Sequence, residues 1–197
     1  MLSTGDAVLK ETDTSERFNK HSCVLQDARA NYKMRVLIAD DHEVVRKGVR
    51  SVLQTQPSFY VCGEAVDGQD AIEKVKLLRP DLVLMDVSMP NLDGLNATRE
   101  IRNIFPEIEV VILSHYETPQ MAEQAFHAGA RGYVVKSSIS NSLFSALEHV
   151  SRHESFLDPC IIWFPGQADP QVDLTLERSR FFFAMVNPLM TRLFPKI

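Results

Sequence analysis

Disulfide chemistry is the first thing this chain lacks the means for. Its three cysteines, Cys23, Cys62 and Cys160, are odd in number and far apart. That gives neither the pairing of a disulfide scaffold nor the short spacing of a zinc site, and it points to a reducing cytoplasm. Positive charge is in deficit as well: the net charge of -5 argues against a generally nucleic-acid-binding surface, so any DNA contact must come from a local patch. No run approaches the ~18 apolar residues of a membrane span. Residues 1–20 mix acids, threonines and lysines without the apolar core of a signal peptide, so export and membrane insertion are not expected. What is present is an ordinary globular composition, 45% hydrophobic and 24% charged over 197 residues, enough for one core but marginal for two.

Residues 1–33 carry few large apolar side chains and no sustained period, which reads as a flexible N-terminal extension. Met34 abuts the first strand and is a plausible alternative start. From 34 to 157 the pattern alternates strand and helix five times, which predicts βα units around a parallel sheet. The predicted strands are 35–39, 59–65, 81–85, 109–113 and 132–135. Between them Val45, Val49, Val52 and Leu53 recur at helical spacing, as do Ile72, Val75 and Leu78, and then Leu95, Thr98 and Ile101. Thr118 and Pro119 open a fourth helix that closes near Gly129, and Ser138 or Ser140 caps a fifth. The fold expected is α/β, a flavodoxin-like (βα)5 three-layer sandwich with a central five-stranded parallel sheet and irregular extensions at both ends.

Two of those strands end in acid. Asp40 and Asp41 follow the first, and Asp86 follows the third. Parallel strands bring their carboxyl ends to one rim, where ligands of open α/β sheets bind. At roughly 4 Å and an effective dielectric near 20, each like-charged pair repels by about 4 kcal/mol, so the cluster needs a cation, a proton or a compensating lysine. Such a site suits a divalent metal and phosphoryl chemistry. Asp40 or Asp41 could instead cap the first helix.

Four separated motifs carry a family resemblance: VLIADDH at 36–42, DLVLMDVSMPNLDGL at 81–95, VVILS at 110–114 and GARGYVVK at 129–136. Together they resemble the receiver domain of two-component response regulators over about residues 34–155. The DDH start and the GARGY stretch are similar, more narrowly, to the nitrate- and nitrogen-fixation-responsive regulators.

The resemblance implies that Asp86 is the phosphoacceptor, a carboxylate nucleophile that takes a phosphoryl group from the phosphohistidine of a sensor histidine kinase. It implies Mg²⁺ held directly by Asp41 and Asp86, by the backbone carbonyl of Ser88, and by Asp40 through a water. Ser114 would hydrogen-bond a phosphoryl oxygen and Lys136 would pair with the Asp86 carboxylate or its phosphate. Tyr133 would be a switch residue moving between outward and inward rotamers. Considered alone, Ser114 also reads as a helix cap, Lys136 as a surface charge and Tyr133 as a half-buried strand aromatic. His42 and His115 border the pocket with no second ligand at metal spacing, and are read as loop residues. The resemblance further implies a non-enzymatic signalling domain with slow self-dephosphorylation, a cytoplasmic location, and a partner or homodimer surface on helix four, strand five and helix five or on helices one and five.

Residues 158–197 read as a linker and an atypical or truncated tail. Relatives usually continue into a helix-turn-helix domain of roughly sixty residues. Here the end, with Arg178, Arg180, Arg192 and Lys196 around a run of phenylalanines and interrupted by Pro188 and Pro195, lacks a recognition helix. DNA binding through this tail or through a partner is therefore the alternative function. An aspartyl-phosphate hydrolase is a further one, disfavoured because such enzymes keep a second acid two residues beyond a nucleophile on strand one.

Overall fold

The computed structural model describes residues 32–161. The extension expected over 1–33 lies outside the described residues except for its last two, and the tail expected over 158–197 lies outside them from residue 162 onward. Between these limits the chain runs β1 (Met34–Ala39), α1 (Glu43–Gln54), β2 (Phe59–Ala65), α2 (Gly68–Leu78), β3 (Leu82–Asp86) and α3 (Gly94–Ile104). It continues through β4 (Glu109–Ser114), α4 (Pro119–His127), β5 (Gly132–Val135), a 3-10 turn (Lys136–Ser138), α5 (Ile139–Ser151) and β6 (Phe156–Leu157). All strands pair in parallel in the order β2-β1-β3-β4-β5-β6. The five predicted strands form the sheet, and β6 adds a two-residue sixth, which the turn-rich sequence beyond Phe156 does not announce.

Alternation along the strands divides the core in two. Leu37, Val83, Ile112 and Tyr133 pack with Ile72 of α2, Ile101 of α3 and Ala125 of α4 on one face. Ile38, Leu84, Leu113 and Val134 pack with Leu53 of α1 and Leu147 of α5 on the other. Both faces are covered, so β1, β3 and β4 read as continuous apolar runs instead of alternating ones. Fully burying one such leucine or isoleucine contributes about 1.5–3 kcal/mol.

Local signals set the helix ends. Asp67 and Asp93 cap α2 and α3 by accepting the N–H of Asp70 at 2.8 Å and of Asn96 at 2.9 Å. Pro119 occupies the first turn of α4 after Thr118, as predicted, and Gly129 follows that helix at φ +99°, a conformation that favours glycine. Ser138 precedes α5, but its hydroxyl makes no capping bond; it serves a carboxylate elsewhere in the fold. No helix among the described residues is long and apolar enough to cross a membrane.

Register carries the functional rim. Ala39 stands opposite Met85, Asp86 opposite Leu113, and Ser114 opposite Val135. Asp40, Asp86, Ser114 and Lys136 therefore end four adjacent strands, around the point where the strand order reverses between β1 and β3.

Candidate phosphoacceptor site

Lys136 holds the centre. Its ammonium lies 2.6 Å from Asp40 Oδ2 and 2.9 Å from Asp86 Oδ1. The side chains of all three are almost entirely out of solvent, at 4%, 0% and 4% exposure respectively. Burial works to lower the lysine pKa, but the hydrogen bonds the ammonium donates to Asp40 and Asp86 outweigh it and raise it, so this ammonium keeps its proton. Asp86 moves the other way. Desolvation pushes its carboxyl above the usual aspartate value, Asp40 adds to that, and Lys136 and the Ser88 amide only partly oppose it.

The first-strand acids are not helix caps. His42 occupies the N-cap position of α1 and makes no side-chain cap there. Asp40 Oδ1 instead accepts the His42 N–H at 2.8 Å, and the Asp40 carbonyl accepts Arg46 Nη1 at 2.8 Å. Arg46, one turn into α1, also meets Glu64 at 3.1 Å, so α1 and β2 both brace the backbone beneath the site. Asp41 is the exposed member of the pair. Its Oδ1 is nevertheless buried and accepts no well-formed hydrogen bond, although His42 Nδ1 is 2.7 Å away.

His42 departs from expectation. Read from the sequence, it has no second ligand at metal spacing; in the structure Asp40, Asp41 and His42 present ligand atoms within 4.8 Å of one another. Asp86 stands outside that compact group and is tied to it by the shared ammonium of Lys136. The signal that could have found His42 is its place directly after two acids at a strand end. Arg46 could have been found from its spacing of one helical turn beyond His42.

Ser114 is fully buried at the end of β4, and its Oγ accepts the Tyr116 N–H at 3.1 Å. Tyr133 is buried too, its hydroxyl donating to the Tyr116 carbonyl at 2.7 Å. Burial pushes its phenol up to about 12, against a hydrogen bond from Ser114 that works to lower it. The ring is therefore packed inward, linked to Ser114 through the backbone of Tyr116.

The loop after β3 approaches through Gly94. A Cβ there would stand 1.8 Å from the Asp86 carbonyl oxygen, a contact no side chain tolerates, and the Gly94 N–H donates to the Val87 carbonyl at 2.9 Å. Glycine lets the start of α3 rest against the backbone of Asp86.

Whether a divalent cation suits these residues can be judged from Asp41. An acid oxygen removed from water with no aligned donor, beside two further carboxylates served by one lysine, is a hard-oxygen donor set with unmet charge. That fits Mg²⁺.

Comparison with known proteins agrees. Residues 36–148 match the family described as response regulator receiver domain. The chain is 37% identical over 129 residues to the response regulator protein VraR of Staphylococcus aureus, covering 66% of this chain and 62% of that protein. A two-component response regulator of the LuxR family from Aurantimonas sp. SI85-9A1 is 34% identical over 66% of this chain and 92% of its own, with a TM-score of 0.63. The isolated REC domain of RcsB from Salmonella enterica serovar Typhimurium, solved with the phosphomimetic BeF3-, is 26% identical over 66% of this chain and 96% of its own, with a TM-score of 0.62. The chain thus spans 62% of the length of the curated relative. With the fold, the acidic rim and these likenesses in agreement, the chain belongs to the response regulator receiver domain family of two-component systems, a signalling family, among relatives of the LuxR and NarL type.

Proposed function

We propose that Asp86 accepts a phosphoryl group from the phosphohistidine of a sensor histidine kinase. The observation that carries this is the Lys136 ammonium bridging Asp40 and Asp86 at 2.6 and 2.9 Å on a buried acidic rim. In the step, an Asp86 carboxylate oxygen forms a bond to phosphorus while the phosphorus–nitrogen bond breaks. The electron pair leaves with the imidazole nitrogen, which is then free to take a proton. Mg²⁺, held by Asp41, Asp86 and the Ser88 carbonyl with Asp40 acting through water, would supply charge neutralisation at the phosphoryl oxygens. Lys136 brings a second positive charge, fixed before the reaction and so requiring no reorganisation during it. Ser114 ends the neighbouring strand, one residue past the partner of Asp86, from where its hydroxyl can leave Tyr116 for a phosphoryl oxygen.

Phosphorylation adds nearly two negative charges to a rim that already holds three acids. Drawing Ser114 and Lys136 toward them disturbs the Tyr116–Tyr133 contact and biases the surface of α4, β5 and α5, the proposed partner or homodimer face, with α1 and α5 as the second candidate. Hydrolysis of the acyl phosphate is slow and returns the domain to rest; no multiple turnover on phosphomonoesters is expected. The receiver unit is assigned to residues 34–157; the family supports a sensor histidine kinase as partner and a cytoplasmic location for this chain.

The test is labelling with acetyl phosphate and Mg²⁺, the modified residue being read by mass spectrometry. Asp86 should carry the phosphoryl group, and Asp86→Asn should abolish labelling. Full labelling of that variant would move the acceptor to another residue and end the assignment.

A further inference from the structure

Beyond α5 the chain returns to the sheet. Phe156 and Leu157 pair with Gly132 and Tyr133 at the edge of β5, and the next residue, Asp158, is buried to 1% exposure. Its own N–H donates to the Tyr133 carbonyl at 2.9 Å. Two residues further along β5, the Val135 N–H faces the same edge after the short β6 backbone has ended. A side chain takes over the ladder there: Asp158 Oδ2 accepts the Val135 N–H at 3.0 Å. The Ser138 hydroxyl lies within reach of that same oxygen and of the Val135 carbonyl. Its single proton goes to the carboxylate, the stronger acceptor. Asp158 Oδ1 accepts the Cys160 N–H at 2.9 Å.

No ion pair to Asp158 exists among the described residues; neutral donors alone hold it. Burial works to raise its pKa, and the Ser138 hydroxyl with the Cys160 and Val135 amides outweighs that and lowers it. The carboxylate is therefore ionised and fully used.

Val135 precedes the turn carrying Lys136, and Ser138 ends it. Lysine has a flexible four-carbon stem, so where its ammonium falls depends on where its backbone is held. One carboxylate, from a segment more than twenty residues beyond Lys136, holds the Val135 backbone before it and the Ser138 hydroxyl after it. We propose that Asp158 is a positioning residue for Lys136: by anchoring the Val135 amide and the Ser138 hydroxyl, it fixes the turn from which the ammonium reaches Asp40 and Asp86. This rests on the phosphoacceptor assignment for its effect on rate, but not for its effect on the lysine itself.

Two measurements separate the inference from that assignment. In the unphosphorylated protein, the Lys136 ammonium protons should exchange slowly enough to be seen by ¹⁵N NMR, and in Asp158→Asn they should exchange about tenfold faster. With acetyl phosphate, Asp158→Asn should be labelled on Asp86 about tenfold more slowly, while the Mg²⁺ concentration giving half-maximal rate is unchanged within about twofold. A role confined to folding would not split rate from metal dependence in this way. Ser138→Ala removes one of the donors and leaves the Val135 bond, so it should give a smaller change of the same kind. A folded Asp158→Asn protein with wild-type exchange and a wild-type labelling rate overturns the proposal. Should that variant not fold, wild-type exchange in Ser138→Ala overturns it. If the wild-type chain took no label at all, the phosphoacceptor assignment would fall while the exchange experiment still decided the role of Asp158.

Discussion

Both ends of the central sheet bury carboxylates, and they treat them in opposite ways. At the amino end, Glu109 opens β4 with an almost fully buried side chain. It meets Arg131 at 2.9 Å, Arg102 at 3.5 Å and His153 at 2.9 Å. One acid there has three basic partners. At the carboxyl end, Asp40 and Asp86 share one lysine, and the neighbouring Asp41 has an Oδ1 left without an aligned donor. The first arrangement is closed: it neutralises its charge internally and ties β4, β5 and the segment after α5 together. The second is short of positive charge, with repulsion on the order of 4 kcal/mol for each close like pair, and so has a use for a cation. Under-compensation, more than burial as such, distinguishes the proposed phosphoacceptor rim from the structural carboxylate in this molecule.

The comparison breaks most readily on labelling. Lys136→Met should slow phosphoryl transfer to Asp86 by about 100-fold, the scale for removing one preorganised donor, whereas Glu109→Gln should leave the initial rate near wild type. Equal losses in both variants would dissolve the distinction between the two ends.

Stability should sort them in reverse. Glu109→Gln leaves Arg131 and Arg102 beside a neutral amide, and should cost about 1–2 kcal/mol in denaturant titration. That figure is set below the value for a fully buried pair because Arg131 and His153 are open to screening by solvent. A variant as stable as wild type would show that the three contacts contribute nothing net.

The smallest effect sharpens the contrast. In EDTA near neutral pH, Asp86→Asn should raise the melting temperature. The folded-state pKa of Asp86 is raised above its ordinary 3.8, so its stabilising, protonated contribution is present below that value and is lost as pH rises through the folded pKa. At neutral pH the ionised group therefore penalises the native state, and asparagine removes the penalty. The advantage should shrink as pH falls back through the raised pKa. Thermal melts across acid to neutral pH check this, and an Asn variant that melts lower at neutral pH contradicts it.

Much of the carboxyl rim was legible before any coordinates. Asp40, Asp86, Ser114 and Lys136 each terminate an apolar run, and once runs and helices alternate, register alone gathers them. The inward packing of Tyr133 was not legible, because strand alternation gives the face of a ring but not the carbonyl its hydroxyl will find; here that is Tyr116, 17 residues away. The reach of His42 toward Asp40 and Asp41 was missed because its spacing resembles no metal motif, and only the turn between β1 and α1 aims its ring. Asp158 gave no signal at all. Followed by proline, it reads as a turn residue, and its importance lies in partners 20 and 23 positions back along the chain.

The amino-acid order by itself determined that strands and helices alternate, that both faces of the inner strands are apolar, and that acids stand at the strand ends. These are local properties of period and residue type. Tertiary structure alone decided which carboxylates share an ammonium supplied from 96 residues away, which oxygen goes without a donor, and which side chain extends the β5 ladder when the backbone of β6 stops. Those outcomes depend on distances and donor directions set by packing, which no short stretch of the chain encodes.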